Sequence, residues 1–325
     1  MVKEDIYKSI KDMSEHIRKA LRLTENFKVE GKFNHIFICG MGGSAIVGDL
    51  LQSYLDINIP VTVNRRYTLS KTLTRDSLVF FISYSGNTEE TIAAFKVAIR
   101  IGCRIVAITS GGILKDLALR SKVPVVRIPL DVQPRAALGY LFFAVLNILR
   151  NSRLIPNPRE EIYSTINAVS NQRIEEKAER FAEKLKDKIP IIYSSDRLKG
   201  VALRWKEQFN ENAKIHAFCN IFPEIDHNEI EGYENLNGDY HVIMINDQDD
   251  YFRIKKRMEL TKQIILKKGV GVTELDLTGR SFLARMMVAI VMGDYASYHL
   301  AKLIDTDPNS VTLIENLKKK LGGVM

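Results

Sequence analysis

Hydroxyl groups crowd one stretch of this 325-residue chain, Ser83-Tyr84-Ser85-Gly86-Asn87-Thr88-Glu89-Glu90-Thr91. Hydroxyls and a glycine in one turn offer hydrogen-bond donors and leave room for a phosphate. Such a turn works best against a helix N-terminus, where free backbone N–H groups and the positive end of the helix dipole favour an anion. The flanks fit that need. Leu78 to Ile82 reads as a buried strand, and the residues from Ile92 read as a helix. Asn87, with Glu90 three residues on, predicts a capping box at the helix start. Ser83, Ser85 and Thr88 are therefore candidate phosphate ligands; the plain alternative is an ordinary capped turn.

A second turn, Gly40-Met41-Gly42-Gly43-Ser44-Ala45, follows the apolar run His35 to Cys39. It matches a dinucleotide fingerprint, and Arg65 and Arg66 lie where that fold would read a 2′-phosphate. An NADP-dependent oxidoreductase is thus one alternative. The Ser83–Thr91 turn, one strand later, is something a dinucleotide site does not need. Two polar turns at the carboxyl ends of parallel strands line one crevice. That crevice suits one sugar phosphate, with the phosphate on the second turn and the sugar over the first.

Other residues stand against their local preference. Arg135 follows Pro134 at a helix start, where a cation opposes the dipole by about 0.5 kcal/mol. Such a residue either joins a surface ion pair or stabilises negative charge on substrate oxygens. Glu211 falls near a helix C-terminus, again the wrong sign for the dipole. Among apolar neighbours its carboxylate could serve as a general base; Glu207 and Glu211 could equally be exposed. His227, in the turn Phe222 to Glu229, could donate or accept a proton near neutral pH. His216, Cys219 and His227 match no strong zinc spacing. His16, His35, His241 and His299 fall within helix or strand patterns and read as structural. The lysines near the C-terminus, Lys318 to Lys320, read as ordinary helix C-terminal cations.

These residues need a scaffold of strands alternating with helices. A leading amphipathic helix covers about 4–24. Strands follow at His35–Cys39, Val61–Val63, Leu78–Ser83, Arg104–Ile108 and Val123–Arg127, with helices between them. Pro124 suits an outer strand. Pro156 and Pro158 mark a boundary, and one charged helix from about Glu161 to Lys186 links the halves. The alternation then restarts with strands at Ile189, His241 and Val272. The expected fold class is α/β: two three-layer αβα domains with parallel sheets and similar topology, covering 1–152 and 153–325. The composition, 46% hydrophobic and 26% charged, is that of a globular protein. Its net charge of +8 shows no basic cluster patterned for nucleic acid. The longest apolar run, Ala136 to Leu149, is too short for a bilayer. The start, Met1 to Asp5, lacks the apolar core of a leader peptide, and three scattered cysteines fit no disulfide framework, so a cytoplasmic protein is expected.

Taken together, Gly40-Met-Gly-Gly-Ser-Ala, Ser83-Tyr-Ser-Gly-Asn-Thr-Glu-Glu-Thr, Pro134-Arg135, Asn210-Glu211-Asn212 and Asp226-His227-Asn-Glu resemble the bifunctional phosphoglucose/phosphomannose isomerases of archaea. Those enzymes belong to the sugar isomerase (SIS) domain superfamily, and the resemblance runs from about residue 34 to the C-terminus. It implies interconversion of glucose 6-phosphate and mannose 6-phosphate with fructose 6-phosphate, without metal or cofactor. It places the phosphate on Ser83, Ser85 and Thr88, with Ser44 and the Gly42-Gly43 backbone nearby. It makes Glu211 the base between C1 and C2, and Arg135 the group that stabilises a cis-enediol(ate). His227 would come from the other subunit of a homodimer to assist ring opening. The family's C-terminal lysine matches Lys318, beside Lys319 and Lys320, and its nearby threonine matches Thr312. A non-catalytic SIS module that senses sugar phosphates is a further alternative.

Overall fold

The structure is a computed structural model that describes residues 5–322; Met1 to Glu4, read above for a leader and a helix start, lie outside them. Among these residues the chain forms two parallel sheets. The first contains β1 (His35–Cys39), β2 (Val61–Asn64), β3 (Ser77–Ile82), β4 (Arg104–Thr109) and β5 (Val125–Arg127), in the order β2-β1-β3-β4-β5. The second contains β6 (Ile189–Ser195), β7 (Phe218–Phe222), β8 (Tyr240–Asp247) and β9 (Gly271–Leu277), in the order β7-β6-β8-β9. The second sheet repeats the first, less a counterpart of β5. Pro124 precedes an edge strand, where a missing N–H costs no ladder bond.

The helices are α1 (Ile6–Lys11), α2 (Met13–Leu23), α3 (Ile46–Tyr54), α4 (Glu89–Ile101), α5 (Gly112–Arg120) and α6 (Leu138–Asn151) in the first half. In the second half they are α7 (Arg159–Val169), α8 (Arg173–Leu185), α9 (Lys199–Gln208), α10 (Phe252–Lys267), α11 (Phe282–Leu303) and α12 (Thr312–Gly322). Two expected helices are each broken in two. The leading helix is interrupted at Asp12, which ends α1 and begins α2. The linking helix stops at Val169 and restarts at Arg173, where the Asn171 side chain accepts the Arg173 N–H. A local cap thus outcompetes continuation of the helix.

Strand alternation accounts for the layers. In β1 and β3, Ile36, Ile38, Leu78, Phe80 and Ile82 face the inner core, while Phe37, Cys39, Val79 and Phe81 face an outer one under α4 and α5. In β8, Ile243 and Ile245 point inward, and Val242 and Met244 outward. The inner cluster is continuous through both halves, from Ile6 to Ala301. Its axis is α11, 22 residues long and buried around most of its circumference, as an all-round apolar helix must be. No helix of the described residues is long and apolar enough to cross a membrane.

Candidate active site

The crossovers leave β1 and β3 in opposite directions, so the turns that follow these neighbouring strands face one crevice. After β3, Ser83 is buried, its Oγ 2.9 Å from Thr88 Oγ1, and it accepts the Gly86 N–H at 3.1 Å. Ser85 is exposed and accepts the Asn87 N–H at 3.2 Å. Gly86 is left-handed (φ +71) and packs so tightly on Gly111 that a Cβ would lie 1.8 Å from its carbonyl oxygen. Only glycine fits there. The expected capping box does not form. Thr88 takes the cap position of α4 without a side-chain bond, while Asn87 Oδ1 accepts the Ile113 N–H of α5 at 3.0 Å. Asn87 serves the neighbouring helix because the turn folds back over Gly111 and Gly112.

After β1, the 3₁₀ turn Gly42–Ser44 leads into α3, with Gly42 left-handed and Ser44 buried. Gly43 lies against a second 3₁₀ turn, Pro134–Ala136. A Cβ on Gly43 would meet Arg135 Cα at 3.3 Å. The glycine turn therefore rests on the backbone of Arg135.

Arg135 is 3% exposed, which rules out the surface-ion-pair reading. Its Nε donates to Asn212 Oδ1 at 2.7 Å, and its Nη2 to the carbonyls of Pro308 at 2.5 Å and Asn309 at 3.4 Å. Burial lowers the guanidinium pKa below its ordinary value, while the charge of Glu211 raises it. A cation held by neutral acceptors keeps charge available for a developing oxyanion.

Asn212 and Glu211 come from the second half. The α9 helix runs on into a π-turn, Phe209–Ala213, and the chain then reverses at left-handed Lys214. Single π-turns recur at functional sites. Here the turn is locked from several sides. Lys214 Nζ donates to the carbonyls of Glu211 at 2.6 Å, Asn212 at 3.1 Å and Asp307 at 3.0 Å. Asn212, fully buried, also donates to Ser297 of α11 at 2.9 Å.

Residues 200, 204, 207 and 211 recur at helical spacing, so one face of α9 looks toward the first half. Gly200 touches α3 so closely that a Cβ would lie 3.0 Å from the Asp49 carbonyl. Arg204 is buried with Asp294 of α11 (3.1 Å) and donates to the Arg135 carbonyl at 2.6 Å. Glu207 and Glu211 are both half-buried. Burial pushes the Glu207 carboxyl up to about 7; Arg204 lowers it, Glu211 raises it, Arg65 lowers it and Asp49 raises it.

Three expected site residues are exposed and share no hydrogen bond or ion pair with this cluster among the described residues. His227 is exposed at the end of a 3₁₀ turn, Glu224–His227, anchored by Asp226 to Arg257 (2.8 Å) and Thr261 (2.9 Å). That turn follows the carboxyl end of β7, whereas the π-turn precedes its amino end. A five-residue strand, about 17 Å, separates them. Thr312 and Lys318 are exposed on α12, which begins four residues after the Pro308 carbonyl that binds Arg135. Among the described residues no group of three or more His, Cys, Asp and Glu could hold a metal. His35 and His241 bond Thr62 and Thr273, His16 stacks on Tyr140, and His299 lies 3.5 Å from Glu175, so all four serve the fold. Arg65 pairs with Asp49.

Sequence reasoning missed Arg204, Asp294 and the Pro308–Asn309 carbonyls. None carries a local signal. Each matters only because α9, α11 and the segment before α12 converge on Arg135.

Two parallel αβα domains, with a hydroxyl turn over a switch point, define a sugar isomerase (SIS) domain protein. The SIS domain family model matches residues 32–121, and the model of the bacterial phospho-glucose isomerase C-terminal SIS domain matches residues 174–321. A bifunctional phosphoglucose/phosphomannose isomerase from Caldicellulosiruptor bescii is 40% identical, with 98% of this chain and 99% of that one aligned. One from Aquifex aeolicus is 36% identical, over 89% of this chain and 91% of that one. In three dimensions the tagatose-6-phosphate ketose/aldose isomerase of Escherichia coli superposes with a TM-score of 0.71 at 15% identity, covering 94% of this chain and 95% of that one. The chain belongs to the bifunctional phosphoglucose/phosphomannose isomerase family.

Proposed function

We propose that the protein interconverts glucose 6-phosphate and mannose 6-phosphate with fructose 6-phosphate, without metal or cofactor. The observation that carries this reading is the buried Arg135, held by Asn212 next to Glu211 and under the glycine turn of the sugar crevice. The phosphate rests on Ser83, Ser85 and Thr88 at the start of α4, with Ser44 and the Gly42-Gly43 backbone beside it. Glu211 takes a proton from one of C1 and C2 and returns it to the other, and Arg135 stabilises the cis-enediolate between these steps. The pairing of Arg65 with Asp49 commits one of the two arginines that the NADP alternative would use.

In this reading the working unit is a two-fold homodimer of chains with SIS units at 1–152 and 153–325. His227 follows the carboxyl end of β7 while the π-turn precedes its amino end, which supports assigning ring opening to a partner's copy. The α12 helix carries Leu313 at 86% exposure, with Ile314, Leu317 and Leu321 also exposed, a face suited to a second subunit. Docking of α12 would bring Thr312 and Lys318 to a site. Free cysteines at 39, 103 and 219 fit a reducing cytoplasm, where the reaction would serve glycolysis and gluconeogenesis.

The test is isomerisation by chelator-treated protein. Both fructose 6-phosphate and mannose 6-phosphate are expected to yield glucose 6-phosphate. Glu211→Gln is expected to lower kcat by at least about 10³-fold while sugar-phosphate binding persists. Binding without turnover in the wild-type protein would favour the sensing module instead.

A further inference from the structure

Glu207 is a half-buried acid that the mechanism above leaves unused. It lies one turn before Glu211 on the face of α9 that meets the first half, and the π-turn begins two residues after it. Its Oε2 is buried and has no hydrogen-bond partner among the described residues. The charges facing it come from every packed element: Arg204 on α9, Glu211 in the π-turn, Asp49 on α3 and Arg65 after β2, with the Cys219 thiol on β7. Arg204 is committed to Asp294, and Arg65 to Asp49, so neither cation is free to pair with it. An unpaired carboxylate in such a place is costly, and taking up a proton removes that cost.

We propose that Glu207 is a positioning residue for the Glu211 base, holding a proton so that the resting pair carries one negative charge rather than two. The inference rests on the isomerase reading given above. The catalytic proton travels only between substrate carbon and Glu211, and Glu207 sets the charge beside it. As Glu207 ionises near pH 7, a second negative charge appears beside the base and repels the substrate phosphate. Stability follows the same group. Its folded pKa is raised, so its contribution is fully present below its unfolded pKa near 4.5 and is lost as pH rises through about 7.

The experiment compares kcat/KM against pH for wild type, Glu207→Gln and Glu211→Gln with fructose 6-phosphate, alongside thermal unfolding at pH 5 and pH 8. The substrate's own phosphate ionises near 6 in every case and cancels in the comparison. Glu207→Gln is expected to keep kcat at pH 6 within about tenfold of wild type and to lose the inflection near pH 7. It is also expected to gain more in Tm at pH 8 than at pH 5. An inflection that persists unchanged overturns the proposal, even with the Tm gain, since burial alone would produce that gain. If Glu207→Gln does not fold, Glu207→Asp, which retracts the carboxylate, is expected to displace the inflection; one that stays in place overturns the proposal equally. Full activity in Glu211→Gln would instead sink the isomerase mechanism itself, and so separates the two failures.

Discussion

At the scale of single residues, geometry separates Arg135 from a generic cation. Its Nε and Nη2 are aimed at Asn212 and Pro308, from two different parts of the second half. A lysine has the charge but not the planar fork. Arg135→Lys is therefore expected to lower kcat about 10²-fold with a smaller change in KM, because a transition-state contact is lost rather than ground-state binding. Steady-state kinetics on fructose 6-phosphate decide it, and near-wild-type kcat would show that charge alone suffices. The Arg135 anomaly was legible in the chain: a cation at a helix start asks for a reason. Its partners were not, since Asn212 and Pro308 lie 77 and 173 residues away.

Among the elements, α9 decides the site. With the π-turn that continues it, α9 carries the face Gly200, Arg204, Glu207 and Glu211 against the first half, and it sets Trp205 against α11, where Nε1 donates to the Ala289 carbonyl at 2.8 Å. Gly200 sets how closely α9 approaches α3. Gly200→Val is expected to cost about 1–3 kcal/mol through overpacking against backbone that cannot yield. Calorimetry should show a Tm lowered by several degrees, and kcat should fall as Glu211 shifts relative to Arg135. An unchanged Tm would mean that the two helices have slack between them. Strand and helix order was readable from apolar runs and period. The breaks at Asp12 and Ser170 to Gln172, and the π-turn, were not; at the second, the Asn171 side chain takes the Arg173 N–H in a local bond that competes with an otherwise continuous helical pattern.

For the whole molecule, one apolar cluster spans both halves, so the domains share a core rather than touching at a polar interface. Breaking the Arg204–Asp294 pair inside it should be severe. Asp294→Ala leaves a buried guanidinium without its carboxylate and is expected to lose about 3–5 kcal/mol, read as a lowered denaturation midpoint. The proposed dimer has its own test. Glu211→Gln and His227→Ala are each expected to be nearly inactive, but mixing them should restore activity. A heterodimer would pair intact Glu211 with intact His227 in one of its two sites. No recovery after unfolding and refolding together would place His227 outside the shared site.

The sequence by itself determined the alternation of strands and helices, the hydroxyl turn over α4, the glycine turn after β1 and the oddity of Arg135 and Glu211. These are local matters of period, propensity and dipole sign, which a chain displays without folding. Only the tertiary structure decided that Arg135 is buried and forked between Asn212 and Pro308, that Asn87 caps α5 instead of α4, and that Glu207 sits unpaired beside Glu211. The physical reason is that burial and hydrogen-bond partnership are properties of packed neighbours, and here those neighbours are brought together from positions up to 173 residues apart.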